Sequence, residues 1–163
     1  MSGQTAGEPT FVVATAAQMH ALGQALGAAA RAGDLIVLTG GLGAGKTTLT
    51  QGIGRGLAVR GQVVSPTFTI VREYPSTIGG PALVHVDMYR LGGLEELDAL
   101  DLDSSLDRLE VEIRRTEGAL PQPATSLPAQ GEEADPRTVT LHPVGPRWQK
   151  ADWAGVAHAV GAA

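Results

Sequence analysis

Gly40-Gly41-Leu42-Gly43-Ala44-Gly45-Lys46-Thr47-Thr48 satisfies the G-x-x-x-x-G-K-[ST] pattern of a phosphate-binding loop. Its surroundings suit it: Leu35-Ile36-Val37-Leu38-Thr39 reads as a buried strand before the loop, and a helical stretch follows. Such a loop wraps backbone N–H groups around phosphate oxygens, and a Cβ at the wrong place would block the approach. Gly40, Gly43 and Gly45 leave that room. Lys46 is placed to carry an ammonium to the β and γ phosphates, and Thr47 to offer its hydroxyl to Mg²⁺. The N-terminus of the following helix turns its dipole toward the same anion. Gly40, Gly43, Ala44, Gly45, Lys46, Thr47 and Thr48 are therefore the expected nucleotide contacts. A glycine-rich turn could match by accident in a chain with 22 glycines, but there are only two lysines, and one stands at the required position.

The remaining composition narrows the class. At 163 residues and 43% hydrophobic, the chain makes one domain with its own core. A net charge of -5 and ten arginines scattered along the sequence argue against strong unaided binding to nucleic acid. With no cysteine there is no disulfide, thiolate metal site or cysteine nucleophile. No basic segment followed by an apolar run opens the chain, and no stretch of about 18 apolar residues occurs. A soluble cytoplasmic protein is expected.

Residues 1–10 read as a flexible leader, and 11–163 as the domain. Phe11 to Ala14 should form a short strand, and Thr15 should cap a helix running to about Ala32, with Met19, Leu22, Leu26 and Ala29 on its inner stripe and Gly33 ending it. His20, beside that stripe, reads as a surface residue. After the loop, Leu49, Ile53 and Leu57 share one helix face, while Gly52, Gly54 and Gly56 weaken the helix unless close packing against the sheet requires them. Phe68 to Tyr74 and Ala82 to Met88 read as strands around a turn-rich connection, and Leu94 to Leu100 as a short acidic helix. Leu109 to Arg114 alternates as a strand with one polar face. Residues 116–137, rich in Pro, Gly, Ser and acids, read as a disordered loop. Thr138 to Leu141 forms a last strand pairing back onto 109–114, and Ala151 to Val160 a last helix with Trp148 and Trp153 as packing anchors.

Hydrolysis asks for more than a phosphate loop: a carboxylate near the metal and a group that orients water. Asp87 ends a hydrophobic strand, where open α/β sheets place ligand-binding residues. The competing reading is a structural Asp paired with Arg90. His85 shares a strand face with Asp87 and is either an orienting group or a hydrogen-bonded structural histidine. Ser65-Pro66-Thr67 is a candidate switch, its hydroxyls able to reach a γ phosphate or a metal-bound water.

Gly-x-Leu-Gly-Ala-Gly-Lys-Thr-Thr, then Ser-Pro-Thr-Phe-Thr, then His-x-Asp-Met-Tyr-Arg, in this order and spacing, resembles the TsaE (YjeE) family, bacterial ATPases of tRNA threonylcarbamoyladenosine synthesis. The resemblance spans about Phe11 to Leu106. It implies an α/β P-loop NTPase fold, a single domain with a central, mainly parallel sheet flanked by helices. It further implies ATP and Mg²⁺ binding and work beside the partners TsaD and TsaB, with tRNA met only through that complex. In the family hydrolysis is slow in isolation and is thought to reset the partner complex after a transfer attributed to TsaD. On these positions Lys46 and Thr47 hold phosphates and Mg²⁺, Ser65 to Thr67 form the switch, Asp87 lies by the metal, and Thr15 to Gln18 lie near the adenine.

Two departures stand out. The family usually has Asp where Gly41 stands. It also carries a strand ending Val-Glu-Trp, whose Glu serves Mg²⁺ and water, and no Glu-Trp pair exists here. In one alignment Val111-Glu112-Ile113 is that strand, and Glu112 inherits catalysis and metal contact. In the other, Leu109 to Arg115 is a later family strand and about one strand and turn is absent after Leu106, which the following loop, apolar strand and Trp favour. The leading expectation is a Mg²⁺-dependent ATPase accessory to tRNA modification. The alternatives are a nucleotide-binding assembly module without efficient hydrolysis, and another small P-loop NTPase or kinase.

Overall fold

The computed structural model describes residues 8–41, 44–64, 71–86, 108–116 and 136–163, which form an α/β domain. In chain order the elements are β1 (Thr10–Val13), α1 (Ala16–Ala29), β2 (Leu35–Gly40), α2 (Lys46–Gly56), β3 (Val71–Tyr74), β4 (Leu83–Val86), β5 (Arg108–Arg115), β6 (Arg137–Val144), α3 (Pro146–Gln149) and α4 (Trp153–Gly161). Four strands make one sheet in the order β1-β6-β5-β2, and β3 and β4 form a separate antiparallel pair.

The sheet is mixed. Among the described residues only β2 and β5 run parallel, while β6 is antiparallel to both β5 and β1. The expected "mainly parallel" pattern is thus confined here to one pairing, which needs a long crossover and has one in the chain from Gly41 to Asp107. The β5–β6 hairpin expected across the proline-rich loop is present and longer than its sequence pattern, with Arg115 level with Arg137 and the Thr116 N–H donating to the Pro136 carbonyl. At the N-terminus, ordered pairing begins before residue 11: Thr10 opens β1, and the Pro9 carbonyl accepts from the Leu141 N–H at 2.9 Å.

Strict alternation on β5 and β6 puts Leu109, Val111, Ile113, Val139 and Leu141 on one buried face. That face packs against the apolar stripes of α1, α2 and α4 in one continuous core. The stripe expected on α1 is the observed one, with Met19, Leu22 and Leu26 fully buried, and the Thr15 hydroxyl caps the helix by accepting from the Gln18 N–H. The helix ends at Ala29 rather than Ala32. Arg147, on α3, donates to the Ala29 carbonyl and forms an ion pair with Asp34 at 2.9 Å, so a distant cation closes the helix C-terminus. Gly33, at φ +89°, serves the turn into β2 instead. Trp148 is fully buried beneath this contact and stacks on Trp153, with ring centroids 6.3 Å apart.

The glycines of α2 face a different partner from the sheet. A Cβ on Gly52 would strike the His20 carbonyl oxygen, and one on Gly56 the Gln24 carbonyl oxygen, both on α1. Reciprocally, a Cβ on Gly23 or Gly27 of α1 would strike the carbonyls of Leu49 and Ile53. Four glycines therefore form a seam that lets two helix backbones touch. Gly54 points elsewhere, against Val59 and Val63.

Candidate functional site

The phosphate-loop stretch lies where β2 ends and α2 begins, as the motif requires, with Leu42 and Gly43 outside the described residues. Gly40 is still in β2, level with Ile113 of β5. A Cβ there would lie 2.8 Å from the Ile113 carbonyl oxygen and 3.1 Å from the Ala44 Cβ, so this glycine makes room for the neighbouring strand as much as for any ligand. Gly41 is open, since a side chain there would meet nothing within 4 Å. The Ala44 N–H then donates back to the Gly41 carbonyl at 3.1 Å, closing a turn. Gly45 adopts φ 116°, ψ 12°, a conformation L side chains rarely adopt, and starts the helix.

The start of α2 differs from that of the other long helices. Thr15 caps α1 and Asp152 caps α4 with their own side chains, whereas α2 has no side-chain cap. Its first-turn N–H groups thus remain directed at the loop, with the positive end of the helix behind them. Lys46, the first residue of α2, donates from Nζ to the Gly40 carbonyl at 2.6 Å, spanning the loop. Thr47 and Thr48 are half-buried beside it, and the buried Thr50 hydroxyl donates to the Lys46 carbonyl at 2.8 Å. A glycine-lined turn, an uncapped helix N-terminus and one ammonium converge on one place. The donor set fits a polyphosphate.

Gly43, Ser65, Thr67 and Asp87 lie outside the described residues. The backbone immediately before Ser65 is described, and two residues not singled out from the sequence hold it. Gln51 on α2 donates from Nε2 to the Val63 carbonyl at 3.0 Å, and its Oε1 lies 3.1 Å from His20 Nε2. The Tyr74 hydroxyl donates to the Val64 carbonyl at 3.3 Å and accepts from the Val64 N–H at 3.2 Å. No local pattern marks either residue, because each acts on backbone ten or more positions away. Tyr74→Phe leaves the Val64 N–H and carbonyl without their partner, and a loss of about 1–2 kcal/mol is expected in urea unfolding. A midpoint equal to wild type would show that water replaces the hydroxyl.

His85 is half-buried on β4, opposite Arg72 and on the face shared with Tyr74. Glu112 stands on β5 beside Thr39, the last β2 residue before Gly40, so its strand is adjacent to the phosphate loop. It lies on the sheet face opposite the helices, together with Arg108, Glu110, Arg114 and His142. Its carboxylate is 3.6 Å from His142 Nε2 and 3.7 Å from Arg114 Nε. The structure thus brings Glu112 next to the strand that carries the loop, with its charge turned toward β6. Among the described residues no group of three or more His, Asp or Glu is arranged to hold a metal ion, and no helix is long and apolar enough to cross a membrane.

Similarity to known proteins extends over most of the chain. The family model described as threonylcarbamoyl adenosine biosynthesis protein TsaE matches residues 13–139. A Streptomyces coelicolor protein named tRNA threonylcarbamoyladenosine biosynthesis protein TsaE is 49% identical over 142 residues, covering 82% of this chain and 96% of its own length. A Bacillus subtilis protein of the same name is 36% identical over 136 residues, covering 81% and 84%. The crystal structure of Bacillus subtilis YdiB superposes with a TM-score of 0.59 at 26% identity, over 95% of both chains.

Proposed function

The chain belongs to the TsaE family, and from that membership we propose that it binds and hydrolyses ATP as an accessory protein of tRNA threonylcarbamoyladenosine modification, acting on a TsaD–TsaB complex. The observation that carries the nucleotide part is the uncapped α2 N-terminus with Lys46 drawn across the loop to Gly40. The pathway part rests on the relatives' names and on the share of their length that the chain covers.

In this reading the loop N–H groups hold the phosphate oxygens, and Lys46 exchanges its bond to the Gly40 carbonyl for the β and γ phosphates. Thr47 and Asp87 are the residues that would hold Mg²⁺, which would supply charge neutralisation across the phosphates. Ser65 and Thr67 lie on the segment whose root Gln51 and Tyr74 fasten. Glu112 provides the carboxylate that orients water, since its strand adjoins β2.

A second reading, a nucleotide-binding assembly module without efficient hydrolysis, is favoured by one observation: the Glu112 carboxylate faces His142. Mg²⁺-dependent ATP binding and turnover by the purified chain, with and without TsaD and TsaB, separates the two. Turnover that rises when both partners are added is the expected result. Binding with no turnover in either condition selects the module, and no ATP binding at all would overturn both.

A further inference from the structure

We propose that Gln51 is a positioning residue for nucleotide turnover, holding the backbone at Val63 and Val64 against the helix that begins with Lys46 and Thr47. This role rests on the reading above, in which ATP is hydrolysed and Ser65 and Thr67 form the switch. Three observations carry it. The first is the course of the chain. It leaves α2 after Gly56, turns through Ala58 at φ 54° and doubles back. The Val59 N–H donates to the Gly54 carbonyl at 3.1 Å, and by Val63 the chain is level with Gln51. Along the helix, Gln51 lies a rise of about 7.5 Å from Lys46. Roughly two or three extended residues cover that distance, so a chain leaving Val64 starts within reach of the phosphate-loop end of α2.

The second is how the Gln51 amide is itself held. Its Nε2 donates to the Val63 carbonyl at 3.0 Å, and its Oε1 lies 3.1 Å from His20 Nε2. A carbonyl oxygen only accepts, so the amide nitrogen must face Val63, the amide oxygen must face α1, and the His20 ring presents an N–H at Nε2. The orientation of the amide is thereby fixed from both ends. The third is the fit around it. Gly54, on the same helix face as Gln51, leaves a notch for the buried Val63: a Cβ there would lie 2.8 Å from Val63 Cγ2. The Tyr74 hydroxyl brackets Val64, and its strand β3 is followed by residues tied to the loop after α2. There the Ala58 carbonyl accepts from the Thr77 N–H at 2.8 Å and the Thr77 hydroxyl at 2.7 Å, and the Arg60 N–H donates to the Pro75 carbonyl at 2.8 Å. These bonds hold Val64 and the β3–β4 hairpin to one another and to that loop. Gln51 ties Val63 to the body of the helix that starts with Lys46.

The test compares the full chain with its variants Gln51→Leu, Gln51→Glu and Gln51→Lys. Three quantities are read: steady-state ATP turnover with TsaD and TsaB, ATP affinity by titration calorimetry, and hydrogen exchange of the Val64 amide without nucleotide. Gln51→Leu keeps much of the volume but leaves the Val63 carbonyl without its donor. A misplacement of about 1 Å can cost a hundred-fold in rate, so kcat should fall about ten-fold or more. ATP affinity should stay within about two-fold, because the loop and Lys46 hold the phosphates. The Val64 amide should exchange about ten-fold faster as its backbone loosens. Gln51→Glu keeps an acceptor for His20 but sets a carboxylate against the Val63 carbonyl, and should lose as much turnover as Gln51→Leu. Gln51→Lys keeps a donor that reaches Val63 and should return kcat to within about three-fold of wild type, a rescue that mere space-filling would not give. Wild-type turnover in Gln51→Leu or Gln51→Glu, a loss in Gln51→Lys equal to that in Gln51→Leu, or wild-type exchange of Val64 in Gln51→Leu each overturns the proposal. So does a loss of ATP affinity as large as the loss in kcat. If wild type turns over no ATP, the functional reading itself fails, a result seen before any variant is compared, and this role falls with it.

Discussion

Lys46→Ala loses ATP binding by about a hundred-fold or more, with turnover falling at least as far. Lys46 is one of two lysines in the chain and begins the helix that follows the loop, and each charge-assisted bond it would make to a phosphate oxygen contributes about 1.5–3 kcal/mol. Two such bonds amount to about 3 kcal/mol at the least, which is two powers of ten in affinity. The fold should survive, because without nucleotide Lys46 makes a bond to the Gly40 carbonyl at a part-buried position, not a core contact. Lys46→Arg separates charge from shape: it keeps the cation but has a planar head that fits the turn poorly. Titration calorimetry with ATP and Mg²⁺, beside a thermal melt, reads both quantities. ATP affinity and turnover equal to wild type in Lys46→Ala would remove the basis for the phosphate-loop reading altogether.

Gly56→Ala should cost about 3 kcal/mol, at the upper end of what overpacking usually costs. The ordinary propensity scale points the other way, since alanine favours a helix over glycine by about 1 kcal/mol. The seam decides the sign. The new methyl group would overlap the Gln24 carbonyl oxygen, and the Ala28 nitrogen would lie 2.8 Å away. Backbone atoms inside a helix cannot rotate aside, so α1 and α2 must separate and the shared core with them. Gly161→Ala is the control: it is helical, and a Cβ there meets nothing within 4 Å. That variant should stay within about 0.5 kcal/mol of wild type. At about 2–4 °C per kcal/mol for a chain of this size, the two melts should differ by roughly 6–12 °C. Equal melting of both variants would mean that the helices pack less closely than described.

Much of the site was legible because its chemistry is local. The strand before the loop, the loop and the helix after it are contiguous, so one stretch of sequence sufficed to place β2 and α2 on either side of it without knowledge of the remaining fold. Thr15 as the α1 cap and the alternation on β5 and β6 are equally short-range. Three spaced motifs likewise suffice for the family, which the comparisons show.

The contacts between elements were not legible in this way. Alternation tells which side of a strand is buried, but not which strand lies beside it. Hence the sequence left two alignments for Glu112, and only the parallel register of β5 on β2 placed it next to Thr39. Helical periodicity marks a glycine's face without naming the surface it meets, so the sheet was the expected neighbour of the α2 glycines, whereas Gly52 and Gly56 touch α1. Gly33 was a reasonable end for α1 on local grounds, until Arg147, more than a hundred residues away, closed the helix at Ala29. Where neighbours in sequence supply the energy, as at the phosphate loop, the sequence alone determined the outcome. The tertiary structure decided the helix seam, the end of α1 and the direction of the Glu112 carboxylate, because there the opposing group comes from a distant part of the chain.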